Sequence, residues 1–323
     1  MKISITELGN EACETCESYN IHTKQCSCVD FCDMDGKLRG YIRHKVEIAK
    51  TRKEYIQDKT ETRKPDTLKV SADLQKVILL PRMNQFKSGI FTSRLIVFNE
   101  TISQLGKDGT DTAVIWHEAL SGRRDGQNKN WTFYSMLLNV VNDNDIEVDE
   151  ITLKYLVSGH TYMASDSAHG RIEKEMRSMK TVYDYKDFQT CVVKARCQIL
   201  EMDVQNFNDW KSGVTQYQLK KLGEARPYIE NIVYVRFQKG TNLMRYKKDL
   251  YEEETSVSII GSSVKIEDLK NSGRKREARG IAPGKKKQII EKLVCLMPEN
   301  RQHFWETLKT NQSANDLLTD KKF

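Results

Sequence analysis

Cysteines are concentrated near the start of the chain, where five of the eight lie between residues 13 and 32. Cys13 and Cys16 form a CxxC pair, a spacing that lets two thiolates bind one tetrahedral zinc ion. Crowded cysteines in an intracellular chain are typical of metal sites rather than disulfides. We therefore predict one structural zinc. Five cysteines compete for four positions, and the predicted ligands are Cys13, Cys16, Cys28 and Cys32, with Cys26 or His44 as substitutes. The alternative is that these cysteines bind no metal.

A second group of possible ligands lies in the segment GHTYMASDSAHGRIEKEMR. If a helix begins near Ser165, then Asp166, His169 and Glu173 lie on one of its faces. Two carboxylates and an imidazole can hold a hard divalent cation, but one helix cannot complete such a site. We predict that Asp73 is the further ligand, because an acidic residue inside the apolar run KVSADLQKVILL is unusual unless it interacts with another group. The alternative is a solvent-facing acid on an edge strand and a charged, solvent-exposed helix face.

Other chemical motifs are weaker. His117 and Glu118 are neighbours in a strand-like run, so they point to opposite faces and cannot act on one substrate. The sequence contains no GxxxxGK[ST], GxGxxG or GxSxG motif, which removes the main support for nucleotide hydrolysis and serine-hydrolase chemistry.

The elements that must position these residues can be read from hydrophobic spacing. Residues 37–58 have a helical pattern, and β-rich runs follow within 67–80, 88–99 and 111–120. A helix at 131–141, which Asn128 or Asn130 can cap, precedes a strand at 150–157 and a helix at 164–179. The order β-β-β-α-β-α predicts an α+β fold, with a sheet that carries helices on its faces.

Composition shifts divide the chain into four predicted regions. Residues 1–60 form a cysteine-rich zinc-binding segment and a helix, and 66–180 form the core. Residues 181–255 form a small α+β extension, and 256–323 form a basic, mobile linker followed by C-terminal helices.

The composition also limits the class of protein. Charged residues make up 30% of the chain and the net charge is +7. No apolar run approaches the roughly 20 residues of a membrane span, so we expect an intracellular protein without a membrane partner. The positive charge permits a polyanionic partner such as DNA without requiring one. The oligomeric state stays open.

Several motifs in series resemble a known group of proteins. The segments SADLQKVILLPRM, AVIWHEALSGR, GQNKNWTFYSML and GHTYMASDSAHGRIEKEM are similar to those of multicopy insect and other animal proteins that look like products or relics of DNA transposons. The resemblance implies an integrase-type, RNase H-like mixed sheet, preceded by a zinc-binding segment and followed by a small α+β region. It also implies a two-metal site built from three carboxylate stations. Asp73 matches the first station, and His160, Asp166 and His169 match the last segment.

The middle station is missing from the sequence. In the related proteins a helix and a strand that ends in an Asp-Asn pair separate the SGR and QNKNW motifs. Here Arg123 is joined to Gln127 through only three residues, and Asp125 among them lacks the supporting strand. The resemblance therefore implies an incomplete core without efficient catalysis, whose candidate catalytic residues are Asp73, Asp166 and His169.

The sequence is compatible with three alternative functions. The first is an inactive transposon-derived protein that keeps affinity for nucleic acid through the basic run 274–287, with a nuclear location if it binds DNA. The second is an active nuclease or transposase that rebuilds its site with Asp125 or Glu173 and uses Mg²⁺ or Mn²⁺. The third is a zinc-stapled protein-interaction module.

Overall fold

The computed structural model describes residues 13–25, 34–61, 66–106, 109–122, 129–157, 159–160, 162–210, 227–261, 265–266 and 273–314. Asp125 and the whole joint between Arg123 and Gln127 lie outside these residues, as do Cys26, Cys28 and Cys32. No helix in the described ranges is long and apolar enough to cross a bilayer.

Two helices begin the described chain, α1 (Glu14–Gln25) and α2 (Met34–Thr60). The rings of Tyr19 and Tyr41 stack between them with centroids 4.0 Å apart. One face of α2 points inward and buries Ile48 and Thr51. Farther along the same face, the Tyr55 hydroxyl accepts a hydrogen bond of 2.6 Å from the backbone N–H of Ala164. The long helix is therefore fixed against the body of the protein.

The first sheet is mixed and has five strands: β1 (Val70–Leu74), β2 (Ile78–Leu80), β4 (Leu95–Gln104), β5 (Asp111–His117) and β8 (Gln198–Glu201). Its order is β1-β4-β5-β8, and β2 also pairs with β4. Pairing is antiparallel except between β5 and β8, which are parallel. Two short strands, β3 (Arg82–Met83) and β7 (Thr181–Val182), pair separately.

Helices cover one face of this sheet and share its core. They are α5 (Ala164–Met179), α6 (Tyr185–Lys194), α7 (Pro283–Lys292) and α8 (Glu299–Thr307). A short helix, α3 (Lys87–Phe91), lies beside β3. Val97 and Ile115 from the strands are fully buried with Ile172, Phe188 and Trp305 from the helices. Burial of each such side chain contributes about 1.5–3 kcal/mol.

The second sheet is antiparallel and has four strands: β6 (Glu150–Lys154), β9 (Tyr234–Gln238), β10 (Leu243–Lys247) and β11 (Thr255–Ser258). Its order is β11-β10-β9-β6. Helix α4 (Trp131–Asn142) packs on it, and the Asn130 side chain caps the helix by accepting from the N–H of Phe133 at 2.8 Å. Tyr134, Leu138 and Phe237 are buried between helix and sheet.

The structure confirms the predicted α+β class and the mixed sheet with flanking helices. The sheets do not follow the regions drawn from the sequence, because β6 pairs with β9 in the second sheet and β8 joins the first sheet. Ile151 and Leu153 on β6 pack against the second core, which explains this pairing. The run predicted as a mobile linker also differs, because the backbone N–H groups of Arg279, Gly280 and Ile281 donate to distant carbonyls and α7 begins at Pro283.

Candidate metal centres

Two cysteines and two histidines meet in one cluster, which we call the Cys2His2 centre: Cys13, Cys16, His44 and His160. Their four donor atoms all lie within 4.8 Å of one another. The Cys13 Sγ is 3.0 Å from the His44 Nε2, and the Cys16 Sγ is 3.5 Å from the His160 Nε2. The two Nε2 atoms are 3.2 Å apart.

These separations match those around a bound zinc ion. Zinc held tetrahedrally at about 2.3 Å by sulfur and about 2.0–2.1 Å by nitrogen places sulfur and nitrogen about 3.5 Å apart, and the two nitrogens about 3.3 Å apart. The observed distances agree with these values to roughly half an ångström. Four protein ligands would close the coordination sphere of a zinc ion held here, which is typical of a structural rather than a catalytic site.

Local structure explains how the four donors converge. Cys13 directly precedes α1 and Cys16 lies in its first turn, so their side chains lie near one another on one side of the helix. His44 is on the inward half of α2. His160 lies in a turn after β6 that begins at Gly159, whose positive φ of 74° suits glycine. The Arg52 Nε donates to the His160 carbonyl at 2.7 Å and fixes this turn against α2.

The electrostatics of the centre favour neutral side chains when no metal is bound. Burial raises the pKa of the Cys16 thiol, and the neighbouring Cys13 raises this pKa further. Burial lowers the pKa of His160, and the charges of His44 and Arg52 lower it further, which favours the neutral imidazole. Neutral imidazole is the form that ligates zinc, and zinc reverses the thiol effect because a coordinating thiol loses its proton.

The ligand set differs in part from the predicted one. Cys13 and Cys16 are in the centre, and His44, predicted as a substitute, takes a third position. Cys28 and Cys32 fall outside the described residues, as does Cys26. His160, which was predicted for the divalent-ion site of the core, lies in the Cys2His2 centre instead. The reason is that the turn after β6 faces α2, a long-range packing that local spacing does not encode.

A second cluster, the Asp-Asp-His cluster, consists of Asp73, Asp166 and His169, with donor atoms within 4.8 Å of one another. Asp73 comes from β1, and the other two residues lie one turn apart at the start of α5. The His169 Nδ1 is 3.9 Å from the Asp73 Oδ2. A buried contact of 3.0 Å between the hydroxyls of Ser71 and Ser165 holds the strand against the helix.

The two carboxylates of the cluster repel each other, and a bound cation would relieve this repulsion. Burial raises the pKa of Asp73, and the nearby carboxylate of Asp166 raises it further. Burial lowers the pKa of His169, whose Nε2 atom is buried without a hydrogen-bond partner in the described chain. A divalent ion would stabilise both carboxylates in their charged form and accept a nitrogen lone pair.

The Asp-Asp-His cluster is open and provides few ligands. The Asp73 side chain is 40% exposed, so water can reach the site. The Asp166 Oδ2 already accepts a hydrogen bond of 2.8 Å from the N–H of Met163. Glu173, a candidate to rebuild the site, is engaged elsewhere, because its Oε1 is 2.9 Å from Arg82 and 3.3 Å from Arg177. The donor set therefore fits one hydrated hard cation.

His117 and Glu118 are both structural. The Glu118 side chain is 1% exposed and binds the Lys285 Nζ, itself 2% exposed, at 2.6 Å. Its Oε1 also accepts from the N–H of Ile96 at 2.9 Å. Burial lowers the pKa of His117 to about 4, and its ring contacts that of Tyr185 edge-on. Neither residue is open to a substrate.

Several cations of the basic run 274–287 bind other residues of the fold. Besides Lys285, the Lys286 Nζ donates to the carbonyls of Glu306 and Leu308, and the Lys275 Nζ donates to the Ser121 hydroxyl. The exposed cations of the run are Arg274, Arg276 and Lys287.

In comparisons with known proteins, no family model, no curated protein and no solved structure matched the chain. Function is therefore argued from the geometry of the two clusters and from the surface around them.

Proposed function

We propose that the chain is a transposon-derived protein with an RNase H-like core that binds a single divalent ion and has lost phosphoryl-transfer activity. The observation that carries the proposal is the meeting of Asp73, Asp166 and His169 within 4.8 Å. They lie on the first strand of the sheet and on a following helix. The motif resemblance places the same residues in the first and last stations of a two-metal site.

The ligand count supports a loss of catalysis. Two-metal catalysis needs enough carboxylates to hold both ions, which clamp the attacking and leaving oxygens of a phosphodiester. The Asp-Asp-His cluster offers two carboxylates, one of which also caps α5. In the described chain β1 is an outer strand of its sheet. The side on which a further strand would bring a middle carboxylate is therefore not occupied by any described strand.

The Cys2His2 centre has a structural role in this proposal. Its four residues join α1, α2 and the turn after β6, and His44 and His160 are 116 residues apart in the sequence. The turn leads directly into α5, which carries Asp166 and His169. Zinc would therefore hold the first turn of α5 in place for the Asp-Asp-His cluster.

Nucleic-acid affinity is a weaker part of the proposal. The basic run 274–287 keeps three exposed cations, Arg274, Arg276 and Lys287. Three phosphate contacts give a slope of about −3 when the logarithm of the DNA binding constant is plotted against the logarithm of the salt concentration. Binding through this run is therefore expected to be weak and lost at moderate salt.

Manganese binding tests the proposal directly. We expect the zinc-loaded protein to bind one Mn²⁺ per chain, measured by electron paramagnetic resonance of free Mn²⁺. Asp73→Asn should weaken this binding at least tenfold, because it removes a charged ligand. Asp66→Asn is the matched control, since Asp66 is exposed and is not one of the three cluster residues, and its binding should equal wild type.

The outcomes separate the competing functions. Failure to bind Mn²⁺, or binding that Asp73→Asn leaves unchanged, would contradict a remnant metal site and leave the interaction module as the better account. Cooperative binding of two Mn²⁺ ions would favour the active nuclease or transposase.

A further inference from the structure

Helix α2 has a second apolar face that points away from the protein. Leu38, Ile42, Val46 and Ile56 are 39%, 53%, 49% and 59% exposed. At about 100° per residue they form one stripe together with Ala49, on the side of the helix opposite the buried Thr51. The stripe extends over about 27 Å, at about 1.5 Å per residue.

Cations border this stripe on both sides. Arg39 and Arg43 lie on one side, Lys45 and Lys59 lie on the other, and Lys53 interrupts the stripe. All five are exposed, and no ion pair joins any of them to a described residue. The acids of this part of α2 are on the other half of the helix, where Glu54 and Asp58 bind Lys154.

We propose that the outer face of α2 is a docking site for an acidic amphipathic helix of a partner protein. A partner helix of this kind would cover the aliphatic stripe with its own apolar residues and oppose the bordering cations with Glu or Asp. Helix pairs of this type take their affinity from the apolar seam and their choice of partner from the flanking charges.

The same surface disfavours other occupants. In a pair formed by two copies of α2, the basic borders would face one another, and like charges oppose pairing. A bilayer surface selects a broad apolar face with aromatic anchors, whereas this stripe is narrow and contains Lys53. Nucleic acid would bind the cations through phosphates but leave Ile42, Val46 and Ile56 in water.

Peptide binding to the full chain tests the proposal. The probe is a fluorescein-labelled 21-residue helix with Leu and Ile at the seam positions and Glu at the flanking positions, and its partner probe carries Lys in place of Glu. We expect fluorescence anisotropy to show binding of the Glu probe only, weakening as salt is raised. The double variant Ile42→Ser/Val46→Ser should bind at least tenfold more weakly.

Two further variants keep the test specific. Ile90→Ser removes an equally exposed apolar side chain from α3 and should leave binding unchanged. Reversing the charge of Arg39, Arg43 and Lys53 to Glu should shift preference from the Glu probe to the Lys probe. Unchanged melting temperatures and zinc content show that each variant is folded.

Several results would overturn the proposal. One is failure of the wild-type chain to bind the Glu probe, and another is equal binding of both probes. Dimerisation that the double variant Ile42→Ser/Val46→Ser abolishes would assign the face to a second copy. Binding of this face to DNA or to anionic vesicles, lost in the same variant, would assign it to those partners.

Discussion

Loss of His160 should destabilise the protein by removing a long-range cross-link between the N-terminal helices and the core. His160 is the one ligand of the Cys2His2 centre that lies after residue 60, and it is 116 residues from His44. In the chain-entropy model, a cross-link that closes about 100 residues stabilises a protein by about 4–5 kcal/mol. Because a zinc bridge acts as such a cross-link, His160→Ala should cost about 4 kcal/mol, or roughly 10 °C in melting temperature.

The assay is thermal unfolding followed by circular dichroism, with and without a zinc chelator. The wild-type protein should lose about 10 °C when zinc is removed. His160→Ala should melt near the chelated wild type and respond little to chelator. The exposed residue His303 provides the control, and His303→Ala should behave as wild type. An unchanged melting temperature of the wild-type protein in chelator would refute the reasoning. Wild-type stability of His160→Ala would also refute it.

Two predictions concern buried charge. Lys285→Met should destabilise the fold by about 3–5 kcal/mol in urea unfolding, because it leaves Glu118 buried without its closest cation. Adding Glu118→Gln should restore most of this loss, and a double variant no more stable than the single one would contradict the pairing. Because the pKa of His117 is lowered to about 4, protonation favours the unfolded chain, and up to about 3 kcal/mol of stability is lost as pH falls from about 6.5 towards 4. His117→Phe should flatten this dependence, while His303→Phe keeps it; an unchanged slope in His117→Phe would show that other groups cause it.

Much of the local structure follows from short-range patterns. The β-rich runs of β4 and β5, and the cap at Asn130, are visible in the sequence and present in the structure. The pairing of β6 with β9 and of β8 with β5 is not visible in the sequence. Sheet pairing depends on which distant residues complete each core. The run through Lys285 shows the same limit, since it is ordered by Glu118, far away in the chain.

The two candidate metal clusters differ in how much of each can be predicted from the sequence. Asp166 and His169 share a helix face, and Asp73 is an acidic residue within an apolar strand. The sequence therefore predicts that these three residues form one group. His160 was assigned to the wrong neighbours, because only the packing of the turn after β6 against α2 brings it to Cys13. The sequence alone does not show which distant histidine lies beside the CxxC pair.

The central claim is that the core holds a metal ion but does not cut DNA, and a cleavage assay tests it most directly. Purified zinc-loaded protein is incubated with labelled single- and double-stranded DNA and Mn²⁺, beside Asp73→Ala and the control Asp66→Ala. Each 1.36 kcal/mol of lost transition-state stabilisation lowers the rate about tenfold, and a missing metal ion costs several kcal/mol. We therefore predict no cleavage above background for any of the three proteins. Mn²⁺-dependent cleavage that Asp73→Ala abolishes and Asp66→Ala retains would contradict the account.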